Sequence, residues 1–204
     1  MSSTHPLLGI IGGTGWPSTN IYLEKIPRRV QERLGGLNTP DIAFQSRNFA
    51  QLDAWMHEGN WEAVTGCLAE MALQMKKSSN IDSLVVLSNT LHKVAPKVAE
   101  IADIPLIHIG DCTAQMVHEQ GIDRIGFIGT KFTMQEDFIL QYFRERGIKV
   151  FTPPFDAIEG IDSIIFDELC QSKFKDESRE FLFLQVAKMI DKHKINGVVL
   201  GCTE

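Results

Sequence analysis

Short runs rich in Val, Ile, Leu and Phe alternate along the chain with longer stretches whose apolar residues recur every three or four positions. The short runs are Leu7–Ile11, Asp41–Gln45, Leu84–Leu87, Leu106–Ile109, Arg124–Ile128, Lys149–Phe151 and Ile195–Leu200, and each reads as a strand. Between them, helical spacing links Tyr22, Ile26 and Val30, then Val64, Leu68, Met71 and Met75 within Trp61–Lys77, then Val94, Val98 and Ile101. A helix to Glu119 and helices over Met134–Arg146, Asp156–Leu169 and Glu177–His193 complete the pattern. Ser18 or Thr19, Asn89 or Thr90, and Asp111 or Thr113 stand where helix N-caps are expected, and Gly121 and Gly147 where helices stop. The Met-containing stripe of Trp61–Lys77 predicts core. Strand and helix in alternation predict an α/β fold with parallel sheets.

Two pairs of segments echo one another without a gap. Ile81–Thr90, IDSLVVLSNT, lies against Ile195–Glu204, INGVVLGCTE, and Leu8–Gly13, LGIIGG, lies against Ile125–Thr130, IGFIGT. The two matches run in the same order at nearly the same separation, so a duplicated α/β unit is expected, 1–104 and 105–204. Continuous apolar runs of this kind predict strands buried on both faces, and ligands of open parallel sheets bind beyond the carboxyl ends of the strands. The register then places Ser88 and Cys202 at equivalent, ligand-facing positions. Other strand ends break into polar residues too: Gly12-Gly13-Thr14-Gly15, Ser46-Arg47-Asn48 and Gly129-Thr130-Lys131.

Composition narrows the function classes. The 204 residues carry a formal charge of −6, with 23% charged and 44% hydrophobic residues, as in ordinary globular proteins. That charge, with no Lys/Arg block, argues against nucleic acid as a partner. No apolar run is long enough to span a bilayer, and the opening MSSTHPLLGIIGG lacks a leader pattern, so an unprocessed cytoplasmic protein is expected. The four cysteines, Cys67, Cys112, Cys170 and Cys202, are widely spaced without a CxxC, which indicates neither a zinc site nor a disulfide framework. Gly12–Gly15 fits neither dinucleotide nor P-loop spacing, so a nucleotide is not expected, although Gly13 allows close approach of a ligand to backbone N–H groups.

The polar strand ends carry the candidate chemistry. A thiol titrates at about 8.5, and lower at a helix N-terminus, which suits Cys202 on a strand leading toward a helix start. Asn89, Thr90 and Thr203, with the loop N–H groups, can hold a carboxylate. Ser88 is a far weaker base than a thiolate, and it can equally be a strand-end cap. His92, four residues after Ser88, can orient a site group or simply be a structural partner. Glu204 can steer Cys202. Arg47 and Lys131 are candidates for a second carboxylate of a ligand; Trp16, Trp55 and Trp61 are expected to pack.

The set GIIGGTG, SNTLH at Ser88–His92, GTKFTM at Gly129–Met134 and LGCTE at Leu200–Glu204 resembles the aspartate/glutamate racemase family over essentially the whole chain. The resemblance implies two similar α/β domains related by a pseudo-twofold, with the active site in the cleft between them. It implies racemisation of an acidic amino acid without PLP or a metal ion, and a homodimer. It assigns substrate contacts to Asn89, Thr90, Thr130 and Thr203 and adds Ser46. Family members pair two cysteines across the substrate α-carbon. Here Ser88 stands in place of the first, as in a branch with Thr-Asn-Thr that prefers L-substrates. The family also continues past GCTE with a further helical segment that this sequence does not include. Two alternatives stay open: a single-thiol enzyme that protonates an enediolate after decarboxylation or during isomerisation, and a non-catalytic binder of acidic amino acids.

Overall fold

The structure, a computed structural model, describes residues 6–204. The first five residues of the opening that was read as lacking a leader lie outside the described residues. Cα packing divides the chain between His108 and Ile109 into two compact units.

In the first unit, strand β1 (Leu7–Gly12) lies between β2 (Asp41–Ser46) and β3 (Ser83–Val86), all parallel. Helices α1 (Trp16–Leu34), α2 (Phe49–His57) and α3 (Trp61–Ser79) connect them, and α4 (Ala95–Ala102) follows a 3-10 turn at Thr90–Lys93. The stripe Val64, Leu68, Met71 and Met75 of α3 is fully buried with Ile10, Ile11, Leu84 and Val86, so it is core as its spacing predicts. In the second unit, β4 (Arg124–Gly129) lies between β5 (Lys149–Phe151) and β6 (Gly197–Gly201), again parallel. Its helices are α5 (Ile109–Glu119), α6 (Lys131–Gln135), α7 (Asp137–Arg144), α8 (Phe155–Ser163) and α9 (Asp176–His193). In both units the first strand is central, the second takes one side and the third takes the other. That shared order makes the echo in the sequence a duplication of architecture.

Glycine explains why the echoed segments need these letters. A Cβ on Gly9 would run into the side chain of Ile81, and a Cβ on Gly126 would stand 2.8 Å from Cδ1 of Ile195. In each unit the central strand therefore gives up a side chain so that the isoleucine leading into the third strand can pack across it.

Several expectations are corrected. Leu106–Ile109 does not form a strand: Leu106 makes one parallel bridge to Leu84, with the Leu84 N–H on Pro105 O at 2.8 Å and the Ile107 N–H on Leu84 O at 2.9 Å. Helix α5 starts at once at Ile109, ahead of Asp111 and Thr113. Ser18 and Thr19 lie inside the first turn of α1, whose N-cap is Gly15, because Pro17 is already set for helix entry. Neither Asn89 nor Thr90 caps through its side chain: the 3-10 turn intervenes, and Pro96 occupies the start of α4, where its missing N–H costs nothing. The stretch Met134–Arg146 breaks at the extended Glu136 into α6 and α7, and Asp156–Leu169 passes from α8 into a π-helical turn at Ile164–Glu168. Strand β6 is not buried on both faces. Val198 and Leu200 are 41% and 75% exposed, where their counterparts Leu84 and Val86 are 0% and 1% exposed, because no element among the described residues covers that side. No described helix is long and apolar enough to cross a membrane.

Candidate active site

In the first unit the strand-end loops are drawn together by small residues. Gly13 adopts φ +86°, and a Cβ there would stand 2.6 Å from Cβ of Ser46, so this glycine lets the ends of β1 and β2 meet. Its N–H donates to Thr19 Oγ1 at 2.9 Å, and Ser18 Oγ donates to Gly15 O at 3.0 Å. The two hydroxyls that the sequence offered as caps thus brace the glycine loop. Ser46 is exposed at the end of β2. The Arg47 guanidinium donates to Ser46 O at 3.2 Å and to Gln74 Oε1 at 3.4 Å, which holds it over the same loop.

Beyond β3 the chain turns sharply. Ser88 Oγ accepts from the Leu91 N–H at 3.5 Å, a long bond, so the cap of this turn is Ser88. Asn89 carries a buried Oδ1 with no hydrogen-bond partner, a polar atom held ready for a ligand or a water. Thr90 is buried. His92 is fully buried, and its Nδ1 lies 2.7 Å from Ser88 O. A carbonyl only accepts, so Nδ1 carries the proton and the ring is the Nδ1–H tautomer. Burial, then the neighbouring His108, push the His92 pKa down to about 3, so the ring is neutral at pH 7.

The second unit repeats the arrangement with different chemistry. Thr130 ends β4 and caps α6, accepting from the Thr133 N–H at 3.4 Å, while Thr133 Oγ1 donates to Thr130 O at 2.9 Å. A Cβ on Gly129 would stand 2.6 Å from Gly201 O, so the ends of β4 and β6 also approach through glycine. The Lys131 N–H donates to Asp162 Oδ1 at 2.6 Å, and its ammonium lies 3.5 Å from Glu159. Cys202 is half-buried and packs against the core of this unit. Burial pushes its thiol up to about 11. The carboxylates of Glu204 and Asp162 act in the same direction, against hydrogen bonds from the Glu204 and Thr203 backbone. The expected lowering of this pKa is therefore reversed: backbone dipoles do act on the sulfur, but loss of water outweighs them. Glu204 carries a buried Oε1 with no partner.

The structure thus brings Gly13, Ser46 and Arg47 together in the first unit, and Ser88, Asn89, Thr90 and His92 into one turn. In the second unit it gathers Thr130 and Lys131 near Asp162, with Cys202, Thr203 and Glu204 following β6. Sequence reasoning missed two residues. Asp162 follows the core residue Ile161 on α8 and looks in the sequence like any solvated helix carboxylate. His108 lies where a strand was expected. Among the described residues no group of three or more His, Cys, Asp and Glu side chains is arranged to hold a metal ion.

A common family accounts for both halves. Residues 11–204 match the Asp/Glu/hydantoin racemase family. The chain belongs to that family. A crystal structure from Yersinia pestis, provisionally assigned as an Asp/Glu racemase, is 34% identical and superposes with a TM-score of 0.86, over 97% of this chain and 86% of that one. An aspartate racemase homologue from Pyrococcus horikoshii OT3 is 29% identical, with a TM-score of 0.78 over 97% and 85%. The aspartate racemase of Picrophilus torridus, 17% identical with a TM-score of 0.70 over 97% and 81%, shares the fold.

Proposed function

We propose that this racemase-family chain inverts aspartate or glutamate by moving one proton between opposite faces of the α-carbon, with no PLP, Cys202 serving one face and Ser88 the other. The observation that carries the reading is the register. Ser88 and Cys202 occupy matching positions of the echoed segments, just beyond the third strand in each of two copies of one architecture. Asn89, Thr90, Thr130 and Thr203, with the loop N–H groups around Gly13 and Ser46, hold the α-carboxylate, and Arg47 and Lys131 meet the side-chain carboxylate. Donors placed on that carboxylate stabilise the negative charge that develops when the α-proton leaves.

Each partner has a defined handicap. With a pKa of about 11, Cys202 is a thiol in the free protein, and the thiolate fraction at pH 7 is about 10⁻⁴. It is therefore well suited to give a proton and must be deprotonated before it can take one. The substrate ammonium, arriving beside the sulfur, lowers that cost by attraction. Ser88 has the Leu91 N–H as its hydrogen-bond partner, a donor that leaves its own proton in place for delivery. Turnover is thus slow, and faster in alkali.

Chiral chromatography of L- and D-aspartate and of L- and D-glutamate, incubated with the wild type and with Cys202→Ala and Ser88→Ala, tests this. Inversion by the wild type that both substitutions abolish is expected. Undiminished inversion by either variant would remove that residue from the mechanism.

A further inference from the structure

The turn that presents Ser88 is closed by a second pair of side chains. The His92 ring holds Ser88 O at 2.7 Å, while the His92 backbone N–H donates to Asn89 O at 3.0 Å. Two consecutive carbonyls, those of Ser88 and Asn89, are thereby fixed by one residue. The His92 ring in turn meets the ring of His108 edge to face, with centroids 4.5 Å apart and planes at 76°. Both rings are buried. His108 is itself anchored, because Pro105 and Ile107 just before it bracket Leu84 at the start of β3 by two backbone hydrogen bonds. The chain therefore forms a closed circuit: from Leu84 along β3 to Ser88, through the His92 side chain to His108, and back through Ile107 to Leu84.

We propose that His92 and His108 are positioning residues for Ser88, His108 holding the His92 ring in place and His92 holding the Ser88 carbonyl so that the adjacent hydroxyl stays aimed at the substrate. This rests on the reading of Ser88 as one of two acid–base groups. The geometry demands a neutral His92 with its proton on Nδ1, since the carbonyl accepts and positive charge on two touching rings would be mutually repulsive. The burial that depresses its basicity supplies that form at neutral pH. A buried pair of aromatic rings in edge contact also resists rotation of either one. The position of His108, as the last residue of the first unit, ties the hold on Ser88 to the point where the chain leaves that unit.

The test has two arms. In the first, nitrogen-15 spectra of the full chain report the His92 tautomer and the Leu91 amide, which donates to Ser88 Oγ. The wild type should give a neutral Nδ1–H ring at pH 7. His108→Ala should shift that ring and the Leu91 amide, while His108→Phe, which keeps an aromatic edge, should leave them near their wild-type positions. In the second arm, deuterium exchange and inversion are followed together on aspartate. With Ser88 misplaced, the thiol of Cys202 exchanges the abstracted proton for solvent deuterium and returns it to the same face, so exchange persists while inversion falls. For His92→Leu and His108→Ala the ratio of inversion to exchange should drop roughly 10- to 100-fold with KM little changed, the scale of a small misplacement of a reacting group. His92→Asn, which keeps a donor near the Nδ1 position, should recover most of it. An unchanged ratio and an unmoved Leu91 amide in folded His108→Ala would overturn the proposal. If the wild type neither exchanges nor inverts, the racemase reading fails, and the nitrogen-15 arm alone decides whether the histidines hold Ser88.

Discussion

Raising the pH through the titration of Cys202 probes both its burial and its role. The perturbation is the removal of one proton from a thiol whose folded pKa is about 11, against 9.0 for an ordinary thiol. The folded chain keeps the proton more tightly than the unfolded chain does. Below pH 9 both states hold it, and the raised pKa costs no stability. Between pH 9 and 11 the unfolded thiol ionises while the folded one does not, so stability falls across that window. Two pH units at about 1.4 kcal/mol each amount to about 3 kcal/mol. Other groups titrate in the same range, so the quantity to measure is the difference between wild type and Cys202→Ser, by urea unfolding at pH 8, 9, 10 and 11. The difference should move against the wild type by about 2–3 kcal/mol over that span. Alkylation of Cys202, followed by peptide mapping so that Cys67, Cys112 and Cys170 are resolved separately, should rise about tenfold per pH unit up to pH 10. Half-maximal alkylation near pH 8, or a stability difference independent of pH, would refute the reasoning that burial dominates this site.

Other consequences of the geometry are open to measurement. His92 has its pKa depressed from 6.5 to about 3, so the stability it gives is present above pH 6.5 and is lost as pH falls toward 3; relative to His92→Asn, the wild type should lose about 2 kcal/mol between pH 7 and pH 5 in urea unfolding. Gly9→Ala and Gly126→Ala should each cost about 1–3 kcal/mol by the same method, because the new methyl meets Ile81 in one unit and Ile195 in the other. Lys131→Ala, which removes an exposed ion pair with Glu159, should change stability by less than about 1 kcal/mol yet raise KM for aspartate several-fold in the racemisation assay.

Much of the architecture was legible because the duplication writes the same requirement twice. Gly9 with Ile81 and Gly126 with Ile195 are pairs in which one residue exists to admit the other, and the two ungapped segment matches between the halves contain them. The α3 stripe was legible for the usual reason, that helical spacing and burial coincide. Where the reading erred, a local rule met a non-local competitor. Ser18 and Thr19 have cap chemistry, but Pro17 starts the helix earlier and their hydroxyls brace the Gly13 loop instead. A strand end facing a helix start suggests an acidic thiol, but the core beneath Cys202 decides its pKa. Leu106–Ile109 has strand composition, but only Leu106 finds a partner before α5 begins. The burial of β6 was overestimated because a sequence run cannot say what lies over it. Of the candidate site, the strand-end positions of Ser88 and Cys202 followed from register alone. The neighbours that tune them, His108 and Asp162, did not, since neither carries a motif and both are recruited by the fold.

Whether two groups act from opposite faces of one carbon is tested most directly by the early course of racemisation in deuterium oxide. With L-aspartate or L-glutamate as substrate, mass spectrometry of each enantiomer at low conversion should find nearly all of the D-product deuterated at the α-carbon. The unreacted L-substrate should still carry hydrogen. Deuterium appearing equally in both enantiomers from the start would show a single group working on both faces, and the pairing of Ser88 with Cys202 would be wrong.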